Sequence, residues 1–316
     1  MTRYRNLGLF VVLAALWGSA FMAIKAGVSY FPPVLFAALR YDLAGLLMLG
    51  YAAYVLDAPV PRGREQWSVV AVGAVFLIAA YHTFLFVGET DPAVNSATAA
   101  VIVSLSPVLT TGFARAFLPS DRLTVVGVAG LLLGLVGVGV LTGADLGSAV
   151  SGGVVAKLFV LAAATAFAFG SVVTRRIDGD LPIESMEAWS MLGGAALMHL
   201  VSLGIGESPA SAQWTEPRAV AALAFLAVGA SAVGFLIYFR LLERLGPVEI
   251  NLVSYVAPVF AALAGWVFLS ETPTLGTAIG FCLIFCGFLL VKRDAVRSEL
   301  PRVRRAALRV RGLLSR

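Results

Sequence analysis

Lys25, Arg40 and His82 are side chains whose chemistry stands out against their neighbours, because each interrupts a long apolar run. A charge there is costly unless it meets protein, water or a partner. Lys25 lies in "WGSAFMAIKAG", eight residues after Trp17. It reads in two ways: an ammonium that snorkels to the membrane interface, or a cavity-facing cation that attracts a carboxylate. Gly18, Met22 and Lys25 follow at i, i+4 and i+7, with Trp17 and Ser19 beside that stripe, which suits a pocket wall. Arg40 is deeper in the next run. Asp42 is two residues on, so the two cannot face each other on a helix. Arg40 therefore either bonds freed backbone carbonyls, pairs with Glu89, or recognises an anion. His82 is the best proton-coupling candidate, since imidazole titrates near neutrality; its alternative is a hydrogen-bonded packing residue. Glu89 and Asp91 read as solvated loop acids that could attract cations.

Pro107 and Pro258 each fall inside an apolar run and remove a backbone hydrogen bond there. The carbonyls of Val103 and Ser254 lose their usual partner, and in lipid such groups need protein or cavity water. Ser104, Ser106, Asn251, Ser254 and Tyr255 lie nearby and offer hydrogen bonds. Thr165, Phe167, Phe169, Ser231 and Tyr238 would complete a mixed aromatic and polar lining. Such a lining suits a small amphipathic organic solute. A phosphate would call for several converging cations, and only Lys25 and Arg40 qualify. There are no paired catalytic carboxylates and no HExxH metal set, so neither an enzyme, a metal nor a cofactor is expected. Cys282 and Cys286 read as two small apolar side chains on one helix face.

The elements that carry these residues follow from composition. The 316-residue chain is 59% hydrophobic and 13% charged, against about 25% charged in a soluble domain. It reads as an all-α integral membrane protein. A crossing helix needs about 20 apolar residues. Ten stretches qualify: 7–29, 33–56, 67–88, 93–118, 123–142, 153–176, 183–205, 219–243, 248–269 and 274–292. Placing both termini in the cytoplasm puts 19 of the 23 basic residues inside, as the positive-inside rule asks. The connections are short, so function must lie within the bundle. The tail 293–316 reads as a basic amphipathic helix on the anionic inner leaflet; nucleic acid is not an expected partner.

The two halves repeat. Residues 101–118, "VIVSLSPVLTTGFARAFL", align with 252–269, "LVSYVAPVFAALAGWVFL", so that Pro107 meets Pro258 and Phe117-Leu118 meets Phe268-Leu269. Gly130 and Gly137 then match Gly280 and Gly287; Pro33 and Gly45 match Pro182 and Gly194; Trp17-Gly18-Ser19 matches Phe169-Gly170-Ser171. Five spans per unit is odd, so the units 7–142 and 153–292 are expected to be inverted repeats, an architecture that places the substrate at midplane between halves. The glycine stripes of the fifth and tenth spans are read as close helix packing, in a monomer or homodimer.

These features in order, with "WGSAFMAIKAG", "PPVLFAALRYDLAG", "SLSPVLT" and "YVAPVFAALAGWVFLSETPTLGTAIG", resemble the EamA family of the drug/metabolite transporter superfamily. The resemblance implies a secondary transporter, often an exporter of amino acids, other metabolites or toxic compounds. It also implies a central cavity lined by spans one, three, four, six, eight and nine.

Overall fold

The computed structural model describes residues 2–117, 125–142, 152–177, 179–245, 250, 252–291 and 293. Asn251, the turn at 118–122 and residues 294–316 of the expected tail helix lie outside the described residues. Among the described residues there are helices and short connections, with no strand. The α-helices are α1 (Thr2–Gly27), α2 (Pro33–Val55), α3 (Gly63–Val72), α4 (Tyr81–Gly88), α5 (Ser96–Val103), α6 (Ser106–Phe117) and α7 (Val125–Thr142). The second half has α8 (Gly152–Ile177), α9 (Ile183–Gly204), α10 (Pro217–Ala224), α11 (Gly234–Leu245), α12 (Val253–Leu269) and α13 (Leu275–Val291). Proline opens α2 and α10, where its missing N–H costs nothing.

Six helical rods are long and apolar enough to cross a bilayer: Arg5–Gly27, Pro33–Val55, Gly63–Gly88, Ser96–Phe117, Gly153–Ile177 and Pro217–Leu242. Three shorter apolar helices, Val125–Val140, Val253–Leu269 and Leu275–Leu290, accompany them. α9, which carries Glu184, Glu187 and His199, joins neither group.

Two of the rods contain π-helical stretches, Gly73–Ala80 between α3 and α4, and Phe225–Val233 between α10 and α11. They occupy corresponding places in the two halves. Packing follows the same correspondence. α1 lies on α12, and its counterpart α8 lies on α5 and α6; α1 also meets α10 and α11, while α8 meets α4. α2 packs on its own counterpart α9, and α7 on α13. Exchanging the halves leaves this pattern unchanged. The glycines show its direction. A Cβ at Gly137 would come 2.9 Å from the Gly280 carbonyl oxygen, and one at Gly287 would come 2.6 Å from that of Gly130. The reciprocal contacts set α7 and α13 antiparallel, with the close packing expected of the stripes present at Gly130, Gly137 and Gly280 but not at Gly276. Gly287→Ala should therefore cost about 1–3 kcal/mol, the usual range for overpacking, seen as a lower thermal midpoint in detergent. Gly276→Ala should be silent, because its nearest neighbours are 3.6 and 3.7 Å away.

The two proline sites differ. Before Pro107 the rod breaks at Ser104–Leu105, and Ser106 Oγ donates to the Val103 carbonyl (2.7 Å). α12 runs unbroken through Pro258. Ala257 stands where Ser106 does in the first half, so no equivalent hydroxyl is present to cap a break.

Candidate functional site

The central site is assembled from α1, α2, α9 and the two π-containing rods. Helix rods give it depth, and ring N–H groups bond carbonyls of both π stretches. Trp17 Nε1 donates to the Ala230 carbonyl (3.1 Å), and His82 Nδ1 donates to that of Ile78 (2.9 Å). These are matching positions of the two π stretches, each filled by a ring N–H. The donors come from different places because position 234, the counterpart of His82, is glycine. A Cβ on Gly234 would sit 2.8 Å from Trp17 Nε1, so that glycine makes room for the indole. Trp17→Phe removes this hydrogen bond to the Ala230 carbonyl and should cost about 1 kcal/mol, read as a lowered thermal midpoint. Trp17 also packs on Tyr238 at 5.5 Å and on Phe235 at 5.8 Å between ring centroids.

His82 is buried and fully engaged. Because a carbonyl only accepts, its Nδ1 carries the proton, and Nε2 accepts from the Tyr41 hydroxyl at 2.6 Å. Arg40, 6% exposed, donates through Nε to Ser231 Oγ at 3.1 Å. Its guanidinium lies 4.9 Å from the Tyr41 ring centroid. Among the described residues it has no ion pair with Glu89 or any other acid. Asp42 instead meets His199 at 2.7 Å. Glu187 of α9 interacts electrostatically with both Tyr41 and Tyr238. A buried cation and an acid thus flank the same group of aromatic rings.

Lys25 stands apart, about 12 Å along α1 from Trp17 at 1.5 Å per residue. Its Nζ donates to the main-chain carbonyls of Glu89 (2.8 Å) and Asp91 (2.6 Å). It lines a cavity of about 890 Å³ with Ser29, Asn95, Arg218, Phe225 and Glu271. The Glu89 side chain is fully buried, which corrects its reading as a solvated loop acid. Glu89 follows the third rod, and burial pushes its carboxyl well above the usual carboxylate range, against the pull of Lys25.

The remaining candidates are dispersed. Phe167 meets Tyr81 at 5.4 Å, beside the central rings. Phe169 packs on Phe76, Phe113 and Phe117. Ser104 and Thr165 hydroxyls return to carbonyls of their own helices. Tyr255 packs on Phe285 and Phe288, with its buried hydroxyl unpartnered among the described residues. Ser19 is half-buried.

Two consecutive stretches, residues 6–143 and 155–293, match the family model described as the EamA-like transporter family. The chain belongs to the EamA-like transporter family. Its relatives include the transporter YvbV of Bacillus subtilis, 28% identical with 92% of each chain covered. The inner membrane transporter YedA of Escherichia coli K12 is 29% identical, covering 83% of this chain and 84% of that one. The chloroplastic WAT1-related protein At3g02690 of Arabidopsis thaliana is 27% identical over 87% of this chain and 66% of its own. A crystal structure of a protein 26% identical superposes with a TM-score of 0.64, over 94% of this chain and 99% of that one. This EamA-family chain is a multi-pass membrane transporter of the plasma membrane, and its cargo is a small molecule.

The sequence reading missed Glu187, Tyr41 and Tyr81. An acidic residue one turn into an apolar run was the available signal for Glu187. The two tyrosines had none, since their role depends on His82 and Arg40 arriving beside them.

Proposed function

We propose that this transporter is a secondary carrier that exports a small organic metabolite, such as an amino acid or an amphipathic drug-like compound. It works by alternating access, with ten spans arranged as two inverted five-helix repeats and both termini cytoplasmic. One observation carries the reading. Arg40 is a buried cation without a carboxylate partner among the described residues, held between the halves by Ser231. Such a group is costly, and an anionic substituent of the cargo would neutralise it. Trp17 and Tyr238 offer apolar faces beside it, and Glu187 an acceptor for an amine. Arg40, Trp17, Ser231 and Tyr238 are the first contacts, with His82 and Phe167 bordering them. Lys25 guards the mouth, on the extracellular side in this topology. Ser19, Ser104, Ser106, Phe169, Asn251 and Tyr255 belong to the wider lining.

The test begins with a thermal-shift screen of the purified protein against amino acids, nucleosides and drugs. Hits then go to proteoliposomes. Saturable flux accelerated by counter-substrate is expected. Ohmic current would point to a channel or facilitator, and binding without flux to a receptor.

A further inference from the structure

The Glu89 carboxyl has no role in the central site. It is wholly buried, and neither oxygen has a hydrogen-bond partner among the described residues. A carboxylate so placed would lack any donor, whereas the neutral acid is far cheaper to bury. The surrounding charges are Lys25 from α1, Arg40 from α2 and Glu271 after α12. Tyr81 on α4 also interacts with Glu89, and Lys157 on α8 with Asp91 in the same connector. Lys25, Arg40 and Glu271 are engaged elsewhere or poorly suited. Glu271 repels, and its Oε2 accepts from the Ser96 N–H. Arg40 uses Nε on Ser231. Lys25 binds the main chain of Glu89 and Asp91 rather than the carboxyl.

We infer that Glu89 is a proton-binding site of the transport cycle and that Lys25 is the latch it controls. With the acid protonated, the ammonium staples the 89–91 connector to α1 at the cavity mouth. When Glu89 releases its proton to the water of the cavity that Lys25 and Glu271 line, the ammonium moves onto the carboxylate. Its bond to Asp91 is given up, and the connector is freed. One proton leaves, and one existing positive charge compensates the new negative one. The inference rests on the carrier reading above, to which it adds the coupling ion and the gate.

The test uses the full chain with Cys282→Ala, Cys286→Ala, Ser29→Cys just after α1 and Thr90→Cys within the connector. Ser29 lines the cavity and Thr90 is exposed on the connector. Nitroxide labels at the two cysteines report distance distributions between about pH 5 and about pH 9, bracketing the range a perturbed carboxyl can reach. The population ratio should change about fivefold or more, the low end for linked sites, and Glu89→Gln should hold the low-pH distribution throughout. A distribution indifferent to pH, or a response that persists in Glu89→Gln, would overturn the inference. If Glu89→Gln does not fold, Lys25→Met serves. Infrared difference spectra should show a carboxyl band that titrates at higher pH in Lys25→Met than in the parent; an unmoved or missing band is equally fatal. Neither readout involves cargo, so counterflow can succeed while this fails.

Discussion

Arg40→Met is expected to lower transport severely while leaving the fold as stable as before or more so. The guanidinium is buried and pays desolvation without a counter-charge among the described residues. Replacing a buried charge by an apolar side chain of similar length is often neutral or stabilising. Cargo would lose the partner of its anionic group, at about 2–5 kcal/mol, or roughly 30- to 4,000-fold in flux at limiting substrate. Arg40→Lys keeps the charge but not the planar fork, so its flux should fall between the two. Counterflow in proteoliposomes and thermal unfolding in detergent give the two signs. Retained flux with a lowered midpoint would mean that Arg40 serves only to hold Ser231 and Tyr41 in place.

The helical membrane class and the duplication were legible because both are written in local signals. Apolar length marks a rod, and Pro107 with Pro258 marks the repeat. What duplication does not carry is which chemistry each half keeps. Trp17 and Phe169 align, yet Trp17 takes the Ala230 carbonyl while Phe169 packs among phenylalanines. The π stretches that carry those carbonyls have no compositional signature; "GAVFLIAA" and "FLAVGASAV" read as ordinary apolar helix. Glu89 illustrates a different limit. "ETDP" has the composition of a solvated turn, and only tertiary packing encloses the first of its acids. Lys25 interrupts an apolar run, and its cost is plain from the sequence. Its partners are main-chain carbonyls 64 and 66 residues away, which no local pattern could name.

Glu207→Ala is expected to lower stability by about 2–4 kcal/mol, several times the effect of an ordinary surface change. Glu207 follows α9, yet its carboxylate accepts from the first free amides of α2, Val34 N–H (3.1 Å) and Leu35 N–H (2.8 Å). Pro32, the residue before α2, supplies no side-chain cap, so the second half caps a helix of the first. Ser202 Oγ holds the same carboxylate at 2.7 Å. Each amide bond is charge-assisted, worth about 1.5–3 kcal/mol when sheltered, and partial exposure of Glu207 reduces the sum. Glu207→Gln keeps one acceptor and should lose about half as much. Ser202→Ala should lose about 1 kcal/mol. At the other end the partnership is reversed with weaker chemistry. The Pro59 carbonyl, after α2, accepts from Ser185 Oγ (2.7 Å) and Trp189 Nε1 (2.9 Å) at the start of α9. These bonds are neutral, so Ser185→Ala should cost about 1 kcal/mol. The asymmetry bears on function because α2 carries Arg40 and Tyr41. If Glu207 fixes the register of α2, Glu207→Ala should also slow counterflow, while Ser185→Ala leaves it near the parent rate. Equal thermal midpoints for the two variants would show that the cap across the halves contributes nothing beyond an ordinary hydrogen bond.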